Sequence, residues 1–146
     1  MGDVVAVTGV GEAVNGATDA LPLVVRADAL QYSGVIGVVK SRMVYEVAPG
    51  KEPEGDMSMH SVEGPAQPGD YVQLVVMGVT QVKVEPGVQI MAGDRLTASS
   101  LPGQARPLLK QEINGMLVTE GAPVFAIALE SPSAQGGLIH VFVSLR

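Results

Sequence analysis

The chain contains no cysteine and no tryptophan, and only 3% of its residues are aromatic. Without cysteine, neither a disulfide framework nor thiol chemistry is available. The scarcity of aromatic residues weakens an interpretation as a sugar-binding protein, because carbohydrate sites normally use aromatic platforms. Only two histidines are present, His60 and His140, and neither lies in a local pattern for metal binding or nucleophilic catalysis.

Basic residues are also scarce, since nine Lys and Arg face 15 Asp and Glu and leave a net charge of −6. This charge has the wrong sign for attracting a phosphate backbone, so no nucleic acid partner is expected. The first residues lack the basic start and the apolar core of a secretory signal. No apolar stretch is long enough to span a membrane. The sequence therefore predicts a soluble product with no signal peptide and no membrane partner.

What the chain does contain is aliphatic: 47% of its 146 residues are hydrophobic, alongside 18 Gly and 10 Pro. Short Val-rich runs bounded by Gly, Pro, Asn and Asp are typical of strands rather than helices. We expect a single all-β domain over residues 1–146, barrel or sandwich-like, with about ten short strands and little or no helix. The predicted strands are Val4–Val10, Leu21–Ala27, Val35–Lys40, Met43–Val47, Tyr71–Met77, Thr80–Glu85, Arg95–Ser99, Met116–Thr119, Val124–Glu130 and Leu138–Leu145.

The last predicted strand has two faces of different character. One face is entirely aliphatic: Ile139, Val141, Val143 and Leu145. The other face is mixed: Leu138, His140, Phe142 and Ser144. We expect both faces to be partly buried, the second against another subunit, because burying them would remove an aggregation liability. Leu138, His140 and Phe142 are therefore candidate residues of an oligomer interface.

The region from about residue 48 to 68 contains no clear strand. It has four prolines and three glycines and carries Glu52, Glu54 and Asp56 close together. We expect a flexible acidic loop, and its length makes Glu52, Glu54, Asp56 and His60 candidate partner-facing residues. A Ca²⁺ site on these carboxylates is the alternative, but the ligand order of an EF-hand is absent, which favours a solvated loop.

Turn signals support the strand assignment. Asn114-Gly115 predicts a type I′ hairpin turn, which we prefer to a short helix that would align Leu108, Leu109 and Ile113. Asn15-Gly16 is a second turn candidate. Gly-Asp precedes a predicted strand at Gly2-Asp3, Gly69-Asp70 and Gly93-Asp94. In such a pair Gly supplies a positive φ and Asp can bond backbone N–H groups two residues on, so the pairs are interpreted as turns.

Patterns that would carry catalysis are missing. The sequence has no His-Glu-x-x-His, no Walker-type Gly-Lys-Ser/Thr, no Gly-x-Gly-x-x-Gly and no Gly-x-Ser-x-Gly. Ser58 or Ser61 could pair with His60 as nucleophile and base, but no orienting third group is evident. We therefore predict no enzyme, no metal and no cofactor.

The order of the glycine-rich motifs is recognisable. It runs through Gly2-Asp3-Val4-Val5, Ser33-Gly34-Val35-Ile36-Gly37, Val76-Met77-Gly78-Val79, Gly93-Asp94-Arg95-Leu96 and Gly136-Gly137-Leu138-Ile139. This order resembles the β-rich C-terminal domain of phage tail-fibre and tailspike-like proteins, of the kind grouped with intramolecular chaperone or G2-type peptidase domains. Small trimeric phage head-decoration and capsid-fibre proteins are similar in the same outline.

Either resemblance implies a structural protein of a virion or phage-like particle, commonly a homotrimer in contact with other structural proteins. The expected function is a non-enzymatic trimeric assembly, capping or particle-stabilising decoration domain. One alternative is an autoproteolytic intramolecular chaperone domain of a tail fibre, although no serine here matches the family's nucleophile. The other alternative is a receptor- or glycan-binding tip.

Overall fold

The structure, a computed structural model, describes residues 1–13, 20–28, 30, 34–47 and 57–145. Within them the chain forms twelve β-strands and no α-helix, which confirms the all-β prediction. The strands are β1 (Val4–Ala13), β2 (Ala20–Arg26), β3 (Val35–Val47), β4 (Met57–Val62), β5 (Tyr71–Val75), β6 (Met77–Val84), β7 (Arg95–Ala98), β8 (Ala105–Pro107), β9 (Lys110–Ile113), β10 (Met116–Thr119), β11 (Ala126–Ala128) and β12 (Gly137–Ser144). None of the described segments is a helix able to cross a membrane.

Five strands close into a small barrel in the order β11-β12-β6-β8-β7, with β7 pairing back to β11. Its interior holds small and medium aliphatic side chains. A five-stranded barrel encloses less space than an eight-stranded barrel, whose interior is just wide enough for side chains to fill it. The buried aliphatic residues of these strands are Val82, Val84, Leu96, Ala98, Ala105, Ala126, Ala128, Ile139, Val141 and Val143. The low aromatic content follows from this narrow interior, to which Phe125 contributes a buried ring at the start of β11.

The remaining long strands form an open sheet centred on β3. The strands β1 and β4 follow one another along one edge of β3, and β5 pairs with the other edge. The sequence predicts a break between Val35–Lys40 and Met43–Val47, and this is wrong, because β3 runs through it for 13 residues. The polar residues at the predicted break coincide with a register shift against β5 between Val39 and Ser41. The sequence pattern that suggests a turn therefore corresponds to a register shift within one continuous strand.

The expectation of a strandless loop over residues 48–68 is also wrong in its second half. Residues Met57–Val62 form β4, which pairs antiparallel with β3 from Val47 back to Arg42. No proline interrupts this segment, so its backbone can complete the ladder although neither face is consistently apolar. Glu52, Glu54 and Asp56 lie outside the described residues, as does the turn candidate Asn15-Gly16.

Two of the three Gly-Asp pairs end a turn before a strand, as predicted. The Oδ2 atoms of Asp70 and Asp94 accept hydrogen bonds from the backbone N–H groups of Gln67 and Met91, at 2.8 and 2.9 Å. The N–H of Asp70 donates back to the carbonyl of Gln67, and the N–H of Asp94 donates back to the carbonyl of Met91, each at 3.0 Å. The side chain therefore reaches three residues back rather than two residues on, and it closes the turn from both sides.

The first Gly-Asp pair has a larger role than a turn, because it joins the barrel to the open sheet. The N–H of Gly2 donates to the carbonyl of Val39 in β3, and its carbonyl accepts from the N–H of Lys83 in β6, both at 2.8 Å. The Asp3 carboxylate lies 2.8 Å from Nζ of Lys83 and 3.3 Å from Nε of Arg26. The Asp3 side chain is 13% exposed, and its ion pairs link the N-terminal segment to β2 and β6.

Residues 110–119 form an arm, the hairpin of β9 and β10, whose strands pair only with each other among the described residues. At its tip Asn114 and Gly115 have φ values of 50° and 80°, which confirms the predicted type I′ turn and excludes the alternative helix. At its root Arg106 donates to both carboxylate oxygens of Glu120. The N–H of Leu109 also donates to Glu120, at 2.7 Å.

Candidate functional site

The last strand, β12, shows the alternation that the sequence predicts, but its two faces differ in burial. Ile139, Val141 and Val143 point into the barrel and are at most 1% exposed. On the outer face Leu138 and Phe142 are 44% and 40% exposed. Within one chain the inner face is thus fully buried, whereas the outer face is only partly covered.

Three large apolar side chains lie side by side across the outside of the barrel. Phe142 of β12 pairs directly with Val79 of β6 on one side and with Ile127 of β11 on the other. Directly paired residues project on the same face of a sheet, within about 4.5–5.5 Å at Cβ. Val79 and Ile127 are 61% and 39% exposed. We call Ile127, Phe142 and Val79 the outer row.

The surroundings of the outer row are mostly apolar. Met77, which pairs with Ser144 on the same face, is 70% exposed, and Leu129 after β11 is 44% exposed. Arg95 of β7 pairs with Ile127 and ends the row on that side. The face is thus a contiguous apolar surface with a cation at one end, and surfaces of this type mark interaction sites.

The other two predicted interface residues adjoin this surface. Leu138 packs over the N-terminal segment, where a Cβ added to Gly2 would lie 2.5 Å from its Cδ2 atom. His140 lies with its Nδ1 atom 2.7 Å from Oε1 of Glu130. The hydrogen bond from the His140 backbone N–H, and then the one from its ring, lowers the pKa of Glu130. The structure thus brings Leu138, His140 and Phe142 onto one outer face and adds a fixed carboxylate beside it.

His60, the one predicted partner-facing residue that is described, lies on the exposed strand β4. Its Nε2 atom is 3.1 Å from Oγ of Ser58 and 3.2 Å from Oε2 of Glu46. A nucleophile and an orienting carboxylate must occupy opposite ring nitrogens for a serine to be activated. Here both contact the same nitrogen, so the three residues form a surface cluster without the geometry of a catalytic triad.

The two tyrosines that the structure describes, Tyr45 and Tyr71, do not form a parallel stacking platform for sugars. Tyr45 and Tyr71 pack edge to face, with their ring centroids 5.0 Å apart and their planes at 90°. This arrangement satisfies the rings against each other rather than presenting two parallel faces to a ligand. Tyr32 lies outside the described residues. Within the described part of the chain, no group of three His, Asp or Glu side chains could hold a metal ion.

The sequence does not predict Val79 and Ile127 as site residues, because their proximity to Phe142 depends on strand order. One signal for Ile127 is present in the sequence, where it stands as a large residue between Ala126 and Ala128. A narrow barrel needs small residues inside, so a single large residue between two alanines indicates the outer face.

The fold and this surface together define a small all-β barrel domain with an open sheet attached and an exposed apolar face. Comparison of the chain with family models, with curated proteins and with solved structures finds no match.

Proposed function

We propose that this chain is a non-enzymatic structural module of a phage or phage-like particle, and that three copies associate through the outer row. It acts there as an assembly, capping or decoration domain in contact with other structural proteins. The observation that carries the proposal is the row itself, three paired apolar side chains on the outside of a closed barrel. The order of glycine-rich motifs supports the phage context.

The row supplies a favourable free energy of association. A Phe side chain covers about 200 Å², so the 40% of Phe142 that is exposed amounts to roughly 80 Å². At about 25 cal/mol per Å², its burial contributes about 2 kcal/mol. Val79, Ile127 and Met77 would add similar amounts, which is enough to place hot spots at the centre of an interface.

Charge supports the same surface as the contact between copies. Each chain carries a net charge of −6, so most of its surface repels a second copy. The outer row holds no charged side chain, and the residue at its end is the cation Arg95. Contact through the row itself therefore places no carboxylates opposite one another, although Glu130 stands beside it at His140.

The contact with other particle proteins is proposed to involve the acidic residues Glu52, Glu54 and Asp56 together with His60. His60 and Ser58 are exposed on the edge strand β4, which follows the acidic segment, and Glu46 lies beside them on β3. A carboxylate-rich surface with a histidine suits a basic surface on the partner.

A matched pair of substitutions tests the subunit contact. Val79→Asp places a charge in the outer row, whereas Val10→Asp makes the same change at a valine of the open sheet that is 74% exposed. We expect wild type and Val10→Asp to run as trimers by light scattering at micromolar concentration. Val79→Asp, and Phe142→Asp as a second variant, should weaken association at least about tenfold.

Val79 and Val10 are both exposed. The melting temperatures of Val79→Asp and Val10→Asp should therefore shift by similarly small amounts when the two variants are compared in the same oligomeric state. A wild-type protein that is monomeric across micromolar concentrations would contradict the proposal. The particle assignment has its own test, in which the chain is coexpressed with the structural proteins encoded beside it. Copurification with assembled particles at fixed stoichiometry is expected, and a chain that stays outside them would rule out the particle role.

A further inference from the structure

The arm has two faces of different character. Its inner face lines a cleft against the barrel, where Lys110 approaches Asp94 at 4.0 Å and Leu117 and Thr119 face Gly93. Directly paired residues share a face, so Ile113 and Met116 project outward together, as do Gln111 and Val118. This outer face is uncharged, and its three apolar residues Ile113, Met116 and Val118 are 46%, 67% and 41% exposed.

The arm is held firmly at its root but not along its length. Glu120 binds Arg106 and the N–H of Leu109, and its own N–H donates to the carbonyl of Leu109 at 2.9 Å. Beyond that root the arm is a two-stranded hairpin, which is marginally stable in water unless a face is covered. The arm therefore has a defined direction and an apolar face that its own barrel does not cover.

We propose that the outer face of the arm packs across the outer row of the next copy, so that three chains close into a ring. This inference rests on the proposed function and specifies how its trimer is built. The arm of each chain stands beside the Arg95 end of its own row, since Arg95 lines the cleft under the arm. Its apolar face is the one opposite the cleft that Arg95 lines, so we infer that it meets the row of a neighbour rather than its own.

The two surfaces match in size. Each strand of the arm has four paired residues, which at about 3.4 Å per residue gives a length of about 14 Å. The outer row with Arg95 crosses four strands, and three strand spacings of about 4.8 Å also give about 14 Å. The arm can therefore cover the row from end to end.

The charges point to a second copy as the occupant. Neither the outer face of the arm nor the outer row has an acidic side chain, although the chain as a whole has a net charge of −6. Two acidic chains that meet through these two surfaces place no carboxylate of either surface in the contact, which keeps their mutual repulsion lower there than elsewhere. A basic partner would instead favour the acidic surfaces elsewhere on the molecule.

The difference between the surfaces sets the symmetry. A two-fold dimer pairs each surface with itself, whereas a contact between unlike surfaces is head-to-tail and gives a ring when the rotation between copies closes or an open filament when it does not. The outer face of the arm alone is far smaller than the roughly 800 Å² per partner of a standard interface. In a ring each chain is buried twice, once through its arm and once through its row, with Met77 and Leu129 adding area around the row.

The absence of cysteine makes a clean cross-linking test possible. Chains carrying both Met116→Cys and Val79→Cys are treated with a short bismaleimide at pH 7 and separated on a denaturing gel. The matched control carries Leu117→Cys with Val79→Cys, because Leu117 is 69% exposed against 67% for Met116 but projects on the inner face. We expect the first pair to give covalent dimers and trimers in several-fold greater yield, with no species above the trimer.

The outcomes separate this inference from the proposed function. Two outcomes would contradict the arm-to-row contact while leaving the trimer seen by light scattering intact. In the first, Leu117→Cys with Val79→Cys gives the same yield of cross-linked chains as Met116→Cys with Val79→Cys. In the second, Met116→Cys gives efficient cross-linking without Val79→Cys. If the cysteine-free chain is monomeric, the proposed function and this inference both fail.

Discussion

At the scale of a single residue, Gly37 lies where β3 leaves no room for a side chain against β5. A Cβ added there would lie 2.9 Å from the carbonyl oxygen of Val75 and 3.2 Å from Cβ of Leu74. Neither atom belongs to the end of a flexible side chain, so one strand would have to shift. Gly37→Ala should lower the free energy of unfolding by about 1–3 kcal/mol, measured by urea denaturation.

The matched control is Gly121→Ala. Gly121 has no neighbour within 4 Å of the added Cβ and does not adopt a positive φ, so its substitution should stay within about 0.5 kcal/mol of wild type. Equal stability of the two variants would show that β5 does not lie against Gly37 as described.

Sequence reasoning finds residues such as Gly37 only as motif positions. That Gly37 faces the backbone of β5 depends on the pairing of strands more than 30 residues apart, which no local pattern encodes. The inward residues of β12 are predictable because their alternation with the outward residues is local. The exposure of Phe142 is not, since the same alternation fits a face buried within the chain.

At the scale of elements, the root of the arm is held by an ion pair whose strength depends on pH. The hydrogen bond from Arg106 lowers the pKa of Glu120 below its ordinary value of 4.5, and the bond from the Leu109 N–H acts in the same direction. A carboxyl whose pKa is lower when folded stabilises the fold fully above 4.5. That contribution is lost as the pH falls from there through the folded pKa.

Glu120→Gln should therefore be less stable than wild type at pH 7, by about 1–2 kcal/mol for a partly exposed pair with charged hydrogen bonds. The difference should shrink as the pH falls below 4.5, measured by urea denaturation at each pH. Glu112→Gln, on the exposed strand β9 of the same arm, is the control for the loss of one negative charge and should stay within about 0.5 kcal/mol of wild type at pH 7. A Glu120→Gln deficit that is constant with pH would contradict the ionic role.

Strands with alternating or aliphatic runs are predictable from the sequence, while strands that exist because of their neighbours are not. The strand β8 is Ala105-Arg106-Pro107, with one small apolar residue and a proline, yet it closes the barrel between β6 and β7. The strand β4 likewise depends on the free edge of β3. In both cases tertiary pairing overrides weak local preference.

At the scale of the whole molecule, the uneven distribution of charge separates assembly surfaces from the rest. At the junction of barrel and sheet, the Asp3 carboxylate pairs with both Lys83 and Arg26, which leaves these three side chains with one excess positive charge. The outer row and the outer face of the arm are without acidic groups, so the net charge of −6 is carried elsewhere. The molecule is thus acidic in general and apolar where copies are proposed to meet.

This distribution predicts an unusual response to salt. Three chains of net charge −6 repel one another at long range, and added salt screens that repulsion while leaving an apolar contact intact. The trimer should therefore become tighter between about 20 mM and about 500 mM NaCl, measured by sedimentation at several concentrations. Replacing Glu52 and Glu54 by Gln changes the net charge from −6 to −4 (−6 + 2) and should make the response shallower. A trimer that dissociates as salt is added would instead be held by ion pairs, and the outer row could not be its main contact.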